Sequence, residues 1–216
     1  MRMFFQWASL SLMVLFLVAC QTPSKRIQTE DGETWLTDPS VFAQATLKHA
    51  QLTQWRYSAK VGVVTPDSSD QANMVWLYDE SDVNSKNNIR LYGPLGIGAI
   101  RIEFDERGVQ LSDKKGVIHQ GSNAEQLLRQ IVGWSIPVDA LQFWLFSLPQ
   151  PEQTFKYQLD EQKQLKVLSQ FGWRIEYSSY RDYIPGHGQL ARKVVATKQV
   201  TPQQSVKVTL IAKSWK

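Results

Sequence analysis

Apolar residues along this chain change period several times, and each change predicts an element. Asp38-Pro39-Ser40 predicts a helix start, with the Asp38 carboxylate accepting from free end amides and Pro39 at the first helical position. Val41, Phe42, Ala45, His49 and Leu52 then recur at helical spacing. From Trp55 the period drops to two: Trp55, Tyr57, Ala59, Val61 and Val63 alternate with Arg56, Ser58, Lys60 and Gly62, the pattern of a half-buried strand. A turn cluster at Thr65-Pro66-Asp67-Ser68-Ser69-Asp70 leads to a second strand carrying Ala72, Met74, Trp76 and Tyr78 on one face. Ile89 and Leu91 start a third, and Ile100, Ile102 and Phe104 mark a fourth. Shorter strands follow at Val109–Leu111 and Val117–His119.

Two helices interrupt the strands. Ser122-Asn123-Ala124-Glu125 reads as a capping box ahead of Leu127, Leu128, Ile131 and Val132, with Gly133 at the exit. Leu141, Trp144, Leu145 and Leu148 form a second apolar stripe, closed by Pro149 and Pro151. Strands resume at Phe155/Tyr157/Leu159, Leu165/Val167, Trp173/Ile175/Tyr177, Val194/Ala196 and Val206/Val208/Leu210/Ala212. Alternating strands joined by short turns argue for antiparallel pairing. The predicted class is α+β and mostly β, a strongly bent antiparallel sheet with helices filling its mouth.

The first residues are of another kind. From Phe4 to Val18 the chain is almost wholly apolar, with Arg2 the one preceding charge; the run is too short for a spanning helix and reads as a secretory signal. Its end, Leu17-Val18-Ala19-Cys20, resembles the lipobox of bacterial lipoproteins, where cleavage leaves a cysteine that carries diacylglycerol. Cys20 is the sole cysteine, so it has no disulfide partner. The alternative is a plain signal peptide with a chance cysteine. The predicted divisions are a signal at 1–19, a lipid-bearing polar tether at 20–34 and one domain at 35–216. Under the common sorting rule for such lipoproteins, Gln21 in place of Asp implies outer-membrane delivery, on the periplasmic face.

Losing the signal removes one positive charge from a net charge of +4. The remaining bases are scattered, which argues against nucleic acid as a partner. Eight Trp, seven Tyr and nine Phe need a core, a pocket or a membrane-facing edge. Enzyme motifs are missing. His49, His119 and His187 show no metal-ligand spacing, and only His187, in Gly186-His187-Gly188, has a suggestive setting, one more typical of a loop. No Gly-x-Ser-x-Gly elbow is present. Gly93-Pro94-Leu95-Gly96-Ile97-Gly98 opens a strand rather than a helix, so it is no phosphate cradle. The reading is a non-enzyme with no metal and no cofactor.

That glycine-rich segment is the anomaly. Residues 92–99 link two strands without one charged side chain, and Leu95 and Ile97 stand where loop tips are ordinarily polar. A Leu left in water forgoes about 1.5–3 kcal/mol of burial. Either the loop folds back on its own core or it meets an apolar partner.

Three segments carry a likeness: Leu91-Tyr92-Gly93-Pro94-Leu95-Gly96; Gly133-Trp134-Ser135-Ile136-Pro137-Val138 with Leu141, Phe143-Trp144-Leu145 and Leu148-Pro149; and Trp173-Arg174-Ile175-x-Tyr177. Joined to the lipobox, they resemble the outer-membrane receptor family of the lipoprotein-localization (Lol) pathway, the LolB family, from about Trp35 to the C-terminus. The resemblance implies an incomplete barrel of about eleven antiparallel strands with three helices over a concave apolar cavity. It implies S-diacylglycerol and an N-acyl chain on Cys20. Its partners would be a periplasmic carrier of the LolA type, acylated lipoproteins as cargo and outer-membrane phospholipid, with the chain a monomer. The loop Gly93, Pro94, Leu95, Gly96, Ile97 would act in membrane insertion, Leu95 foremost.

Candidate cavity residues are the inward-facing Tyr57, Ala59, Val61, Met74, Trp76, Ile89, Leu91 and Ile102, with Leu128, Ile131, Leu141, Trp144 and Leu145 from the helices. For each, ordinary closed-core packing is the alternative. Two other functional classes stay open: a scaffolding envelope lipoprotein whose apolar loop docks a protein, and an envelope hydrolase that would depend on His187 or His49.

Overall fold

A computed structural model describes residues 27–30, 32–82, 86–93 and 99–216. Its strands are β1 (Ile27–Glu30), β2 (Glu33–Leu36), β3 (Gln54–Val64), β4 (Ser69–Asp79), β5 (Asn87–Tyr92), β6 (Ile100–Asp105), β7 (Gly108–Ser112), β8 (Ile118–Gly121), β9 (Phe155–Leu159), β10 (Leu165–Gln170), β11 (Trp173–Asp182), β12 (Gln189–Thr201) and β13 (Gln204–Trp215). The helices are α1 (Ala43–Ala50), α2 (Ala124–Val132) and α3 (Val138–Leu145), α1 being preceded by a 3-10 turn at Pro39–Phe42.

All thirteen strands join one antiparallel sheet in the order β1-β2-β9-β10-β11-β12-β13-β3-β4-β5-β6-β7-β8. The C-terminal strand β13 lies against β3, pairing Ala212 with Ala59 and Trp215 with Tyr57, so the two halves of the chain meet in the middle of the sheet. Strands β1 and β8 are its two free edges. The sheet is an open, curved one whose inner face is covered by the helices. Leu127 and Leu128 of α2, and Leu141, Trp144 and Leu145 of α3, share one buried cluster with Tyr57, Trp76, Ile102, Leu111 and Leu210 of the strands.

Eleven of these strands are the eleven predicted segments. The other two, β1 and β2, fall in or beside the stretch read as tether. A polar strand has no alternation to mark it, and here side-chain pairing holds it instead. Trp35 is buried, with the Lys156 ammonium 4.7 Å and the Arg174 guanidinium 5.5 Å from its ring. Arg174 grips Glu33 through two nitrogens at 2.9 and 3.1 Å.

Helix ends follow local chemistry, with one correction. Asp38 accepts from the Ser40 amide at 2.9 Å, as read from sequence. Gly133 ends α2 with φ +78°, a left-handed conformation that suits a residue without Cβ. The cap of α2, however, is Asn123 and not Ser122: its side chain accepts from the Gln126 amide at 2.8 Å. Glu125 does not close a box but bonds Arg129 and Ser135 instead. Both Ser and Asn are good caps, and spacing alone did not separate neighbours. In the first predicted helix only Phe42 is buried; Val41 and Ala45 face outward, because α1 lies against the body chiefly through His49 and Phe42.

One end of the sheet is filled by rings. Trp55 stacks on Tyr78 with centroids 5.5 Å apart and touches Trp76, Phe146 and Trp215. Tyr57 and Phe146 pack on Trp215 at 4.6 and 4.5 Å. His49 closes this cluster against Phe146 at 4.5 Å, and its buried Nε2 has no hydrogen-bond partner among the described residues. Desolvation, and then the neighbouring His187, lower the His49 pKa to about 4.

Two outcomes follow for stability. Asn123→Ala is expected to cost about 1 kcal/mol in urea denaturation, while Ser122→Ala leaves the midpoint unchanged. For His49, the unfolded chain binds the extra proton between pH 6.5 and 4, so stability rises with pH across that window and is lost on acidification. The loss is on the order of 3 kcal/mol. His49→Phe should flatten the slope of unfolding free energy against pH, and an unchanged slope would contradict the assignment.

Candidate functional site

The other end of the same inner face is not filled. Along β3 the inward residues run Trp55, Tyr57, Ala59, Val61, Val63, and along β4 they run Tyr78, Trp76, Met74, Ala72. Large rings give way to small aliphatic groups as both strands approach their shared turn at 65–68. Where the rings end, a cavity of about 490 Å³ opens. Its floor is Val61, Val63, Ala72, Leu91 and Ile100, its roof is Leu128, Ile131 and Trp134, and Asp70, Gln71, Asp113, Lys114 and Lys115 stand at the rim. The volume is in the ordinary range of ligand pockets, about 300–1,000 Å³.

Register explains the floor. Val61 faces Ala72 across β3–β4, and Leu91 faces Ile100 across β5–β6, so two cross-strand pairs of modest side chains lie side by side. The amphipathic α2 crosses above them. Tyr92 and Gly93 form the wall from which the uncharged loop departs.

Four of the candidate cavity residues line this space: Val61, Leu91, Leu128 and Ile131. Nine are packed solid instead. Tyr57, Ala59, Met74, Trp76, Ile89, Ile102, Leu141, Trp144 and Leu145 are all buried in the core cluster. Two of these carry polar atoms that are already spent: Trp76 Nε1 donates to Asn87 Oδ1 and Trp144 Nε1 to Gln170 Oε1, each at 2.9 Å. A period of two tells which face a residue takes, and not how far along the strand the filling stops. Val63, Ala72 and Ile100 were missed for that reason, the change from rings to small side chains along β3 and β4 being the signal for the first two; Trp134, in the connection between α2 and α3, has no period to mark it. Gly93 lies on the cavity wall, whereas Pro94, Leu95, Gly96, Ile97 and Cys20 lie outside the described residues.

The rim is electrostatically ordered. Asp113 Oδ1 accepts from the amides of Lys115 at 2.8 Å and Val117 at 2.9 Å, shaping the turn that presents Lys114 and Lys115. These bonds, the Val117 amide foremost, hold the Asp113 carboxyl below its usual pKa. The histidines do other work. His187 sits within hydrogen-bonding reach of the Lys48 carbonyl at 3.3 Å, and Lys48 Nζ donates to the Gly186 carbonyl at 2.7 Å, so the Gly186-His187-Gly188 loop pins α1. Among the described residues no group of three or more His, Cys, Asp and Glu has metal-binding proximity, and no helix is long and apolar enough to cross a membrane. The site offers an apolar recess with a charged lip: it can shelter hydrocarbon.

Comparison with known proteins agrees with this geometry. A crystal structure of a LolA superfamily protein from Nitrosomonas europaea superposes with a TM-score of 0.50 over 83% of this chain and 93% of that one, at 11% identity, which is a likeness of fold. The outer-membrane lipoprotein LolB of Francisella tularensis subsp. novicida is 29% identical over 208 residues, 94% of this chain and 90% of its own. That of Pseudomonas paraeruginosa is 31% identical over 189 residues, 86% of this chain and 82% of its own. The family model described as "Outer membrane lipoprotein LolB" matches residues 53–215, from just before β3 to the last residue of β13. The chain therefore belongs to the LolB family of outer-membrane lipoproteins.

Proposed function

We propose that this outer-membrane lipoprotein accepts acylated lipoproteins from a soluble periplasmic carrier of the LolA type and inserts them into the outer membrane. The observation that supports this most directly is the position of the apolar cavity: it opens at the root of the uncharged 93–99 loop, so shelter and exit are adjacent. Keeping one palmitoyl chain in water costs on the order of 12 kcal/mol, at about 0.8 per methylene. Acyl chains therefore move only between dry places. A recess that holds them about 1.4 kcal/mol more tightly than the carrier shifts the equilibrium tenfold without any nucleotide.

In this reading Cys20, carrying S-diacylglycerol and an N-acyl chain, tethers the domain, since two or three chains anchor firmly where one does not. Leu95, set by Pro94 and the flanking Gly93 and Gly96, leads the loop with Ile97 into lipid. No chemical step is needed. The protein supplies a path of decreasing exposure for cargo that stays intact.

Two variants separate binding from delivery. Leu95→Asp is expected to bind a fluorescent fatty-acid probe as the parent does and to lose transfer of a carrier-loaded lipoprotein into liposomes. Transfer at the parental rate would overturn the loop's role. Ala72→Phe puts a ring on the cavity floor at a strand position that tolerates aromatics. It should weaken acyl-probe binding by about tenfold or more, equivalent to about 1.4 kcal/mol, with the fold retained by circular dichroism. Undiminished binding would place the acyl site elsewhere.

A further inference from the structure

The antiparallel ladder sorts the hairpin turns to two ends of the sheet. The turns β3–β4, β5–β6, β7–β8, β10–β11 and β12–β13 share the end where the cavity opens. The connections β4–β5, β6–β7, β9–β10 and β11–β12 share the opposite end. The ends differ in chemistry. Among the described residues nine large apolar side chains are exposed, and six of them are at the cavity end: Ile27, Val64, Val117, Ile118, Phe171 and Val200, each 41% to 60% exposed. Single exposed apolar groups are ordinary, but their gathering at one end is not.

Charge is mixed at both ends. Turns at the opposite end carry Glu80, Asp82, Asp160 and Glu161 together with Lys86, Arg107 and Lys163, Lys86 and Arg107 pairing with Glu106 and Asp105. At the cavity end, Lys114 and Lys115 are exposed side by side. Asp67 and Asp70 are exposed in the β3–β4 turn, while the Asp113 carboxylate is held by the amides of its own turn and faces His119. The lysine pair thus stands on the same hairpin as Val117 and Ile118, where an anionic surface would attract it.

The chain's own course selects the occupant. Ile27 pairs with Leu36 at the cavity end, so the segment leading back to Cys20 leaves from there. Cys20 is seven positions before Ile27, a reach of at most about 25 Å. A lipid on Cys20 keeps this end, rather than the opposite one, near the bilayer.

We propose that the cavity end is a bilayer-docking ring: Phe171, Val200 and Ile118 enter the interfacial layer from separate hairpins, and Lys114 and Lys115 rest against anionic headgroups. The ring rests on the reading of the chain as a lipid-anchored acceptor, and it turns the cavity mouth toward the membrane. Long basic side chains beside apolar tips suit such a boundary, with stems in the apolar layer and charge at the headgroups.

The test uses the full lipidated protein in vesicles of phosphatidylethanolamine and phosphatidylglycerol. Cys20 is the sole cysteine and is blocked by lipid, so Phe171→Cys, Val200→Cys, Ile118→Cys and, at the opposite end, Lys163→Cys each accept one polarity-sensitive fluorophore. The three cavity-end labels should shift to the blue and be quenched by lipids spin-labelled near the headgroup, while the Lys163→Cys label does neither. Lys114→Glu with Lys115→Glu should reduce that quenching. Labels that stay water-like at all three sites overturn the ring. So do labels that shift only when the soluble carrier is added, which would make this a protein-docking rim. Fatty-acid probe binding is read on the same samples: binding with labels in water sinks the ring alone, and labels in lipid without binding sink the acceptor reading alone.

Discussion

The inside of a bent sheet has to be filled, and this chain fills only half of it. Everything else depends on that unequal filling. Trp55, Tyr57, Trp76, Tyr78 and Trp215 converge at one end and leave no space, each ring burying on the order of 150–250 Å². Val61, Val63 and Ala72 at the other end are too small to meet the helix opposite. Tight packing and a void are thus made by the same two strands, a few residues apart, with no change in backbone.

Polar groups inside the domain are treated unevenly: His49 Nε2 and Trp215 Nε1 have no partner among the described residues, whereas those around Gln170 are paired. Gln170 alone serves Trp144 through its oxygen and the Gln150 carbonyl through its nitrogen, and it is 2% exposed. Such a buried network fixes one arrangement, since leaving any member unpaired costs roughly 1–3 kcal/mol. The cavity, by contrast, is bounded by aliphatic contacts and the strand ladder.

Much of this was legible in the residues. Alternation from Trp55 to Val63 located β3 and its buried face, and Gly133 located the end of α2. What stayed hidden had physical reasons. Strands β1 and β2 lack alternation and are held by Glu33 and Trp35 through partners more than a hundred residues away, Lys156 and Arg174. Asn123 and Ser122 differ only in which one the backbone turns inward. Cavity and core residues share one face and one period; only the change from the rings of Trp55 and Tyr57 to the aliphatic Ala59, Val61 and Val63, or the decline from Trp76 through Met74 to Ala72, distinguishes them.

The sheet's unpaired edges have a mechanical meaning. In a closed barrel, strand number and stagger fix the radius, so the interior has one size. Here β1 and β8 are not paired, and the ladder between β2 and β9 has a single residue pair, Leu36 with Tyr157. The girth of the domain is therefore set by helices lying across the gap and not by a ring of hydrogen bonds. Such a vessel swells or shrinks by sliding apolar surfaces past one another, with its ladder intact, and its capacity follows its contents.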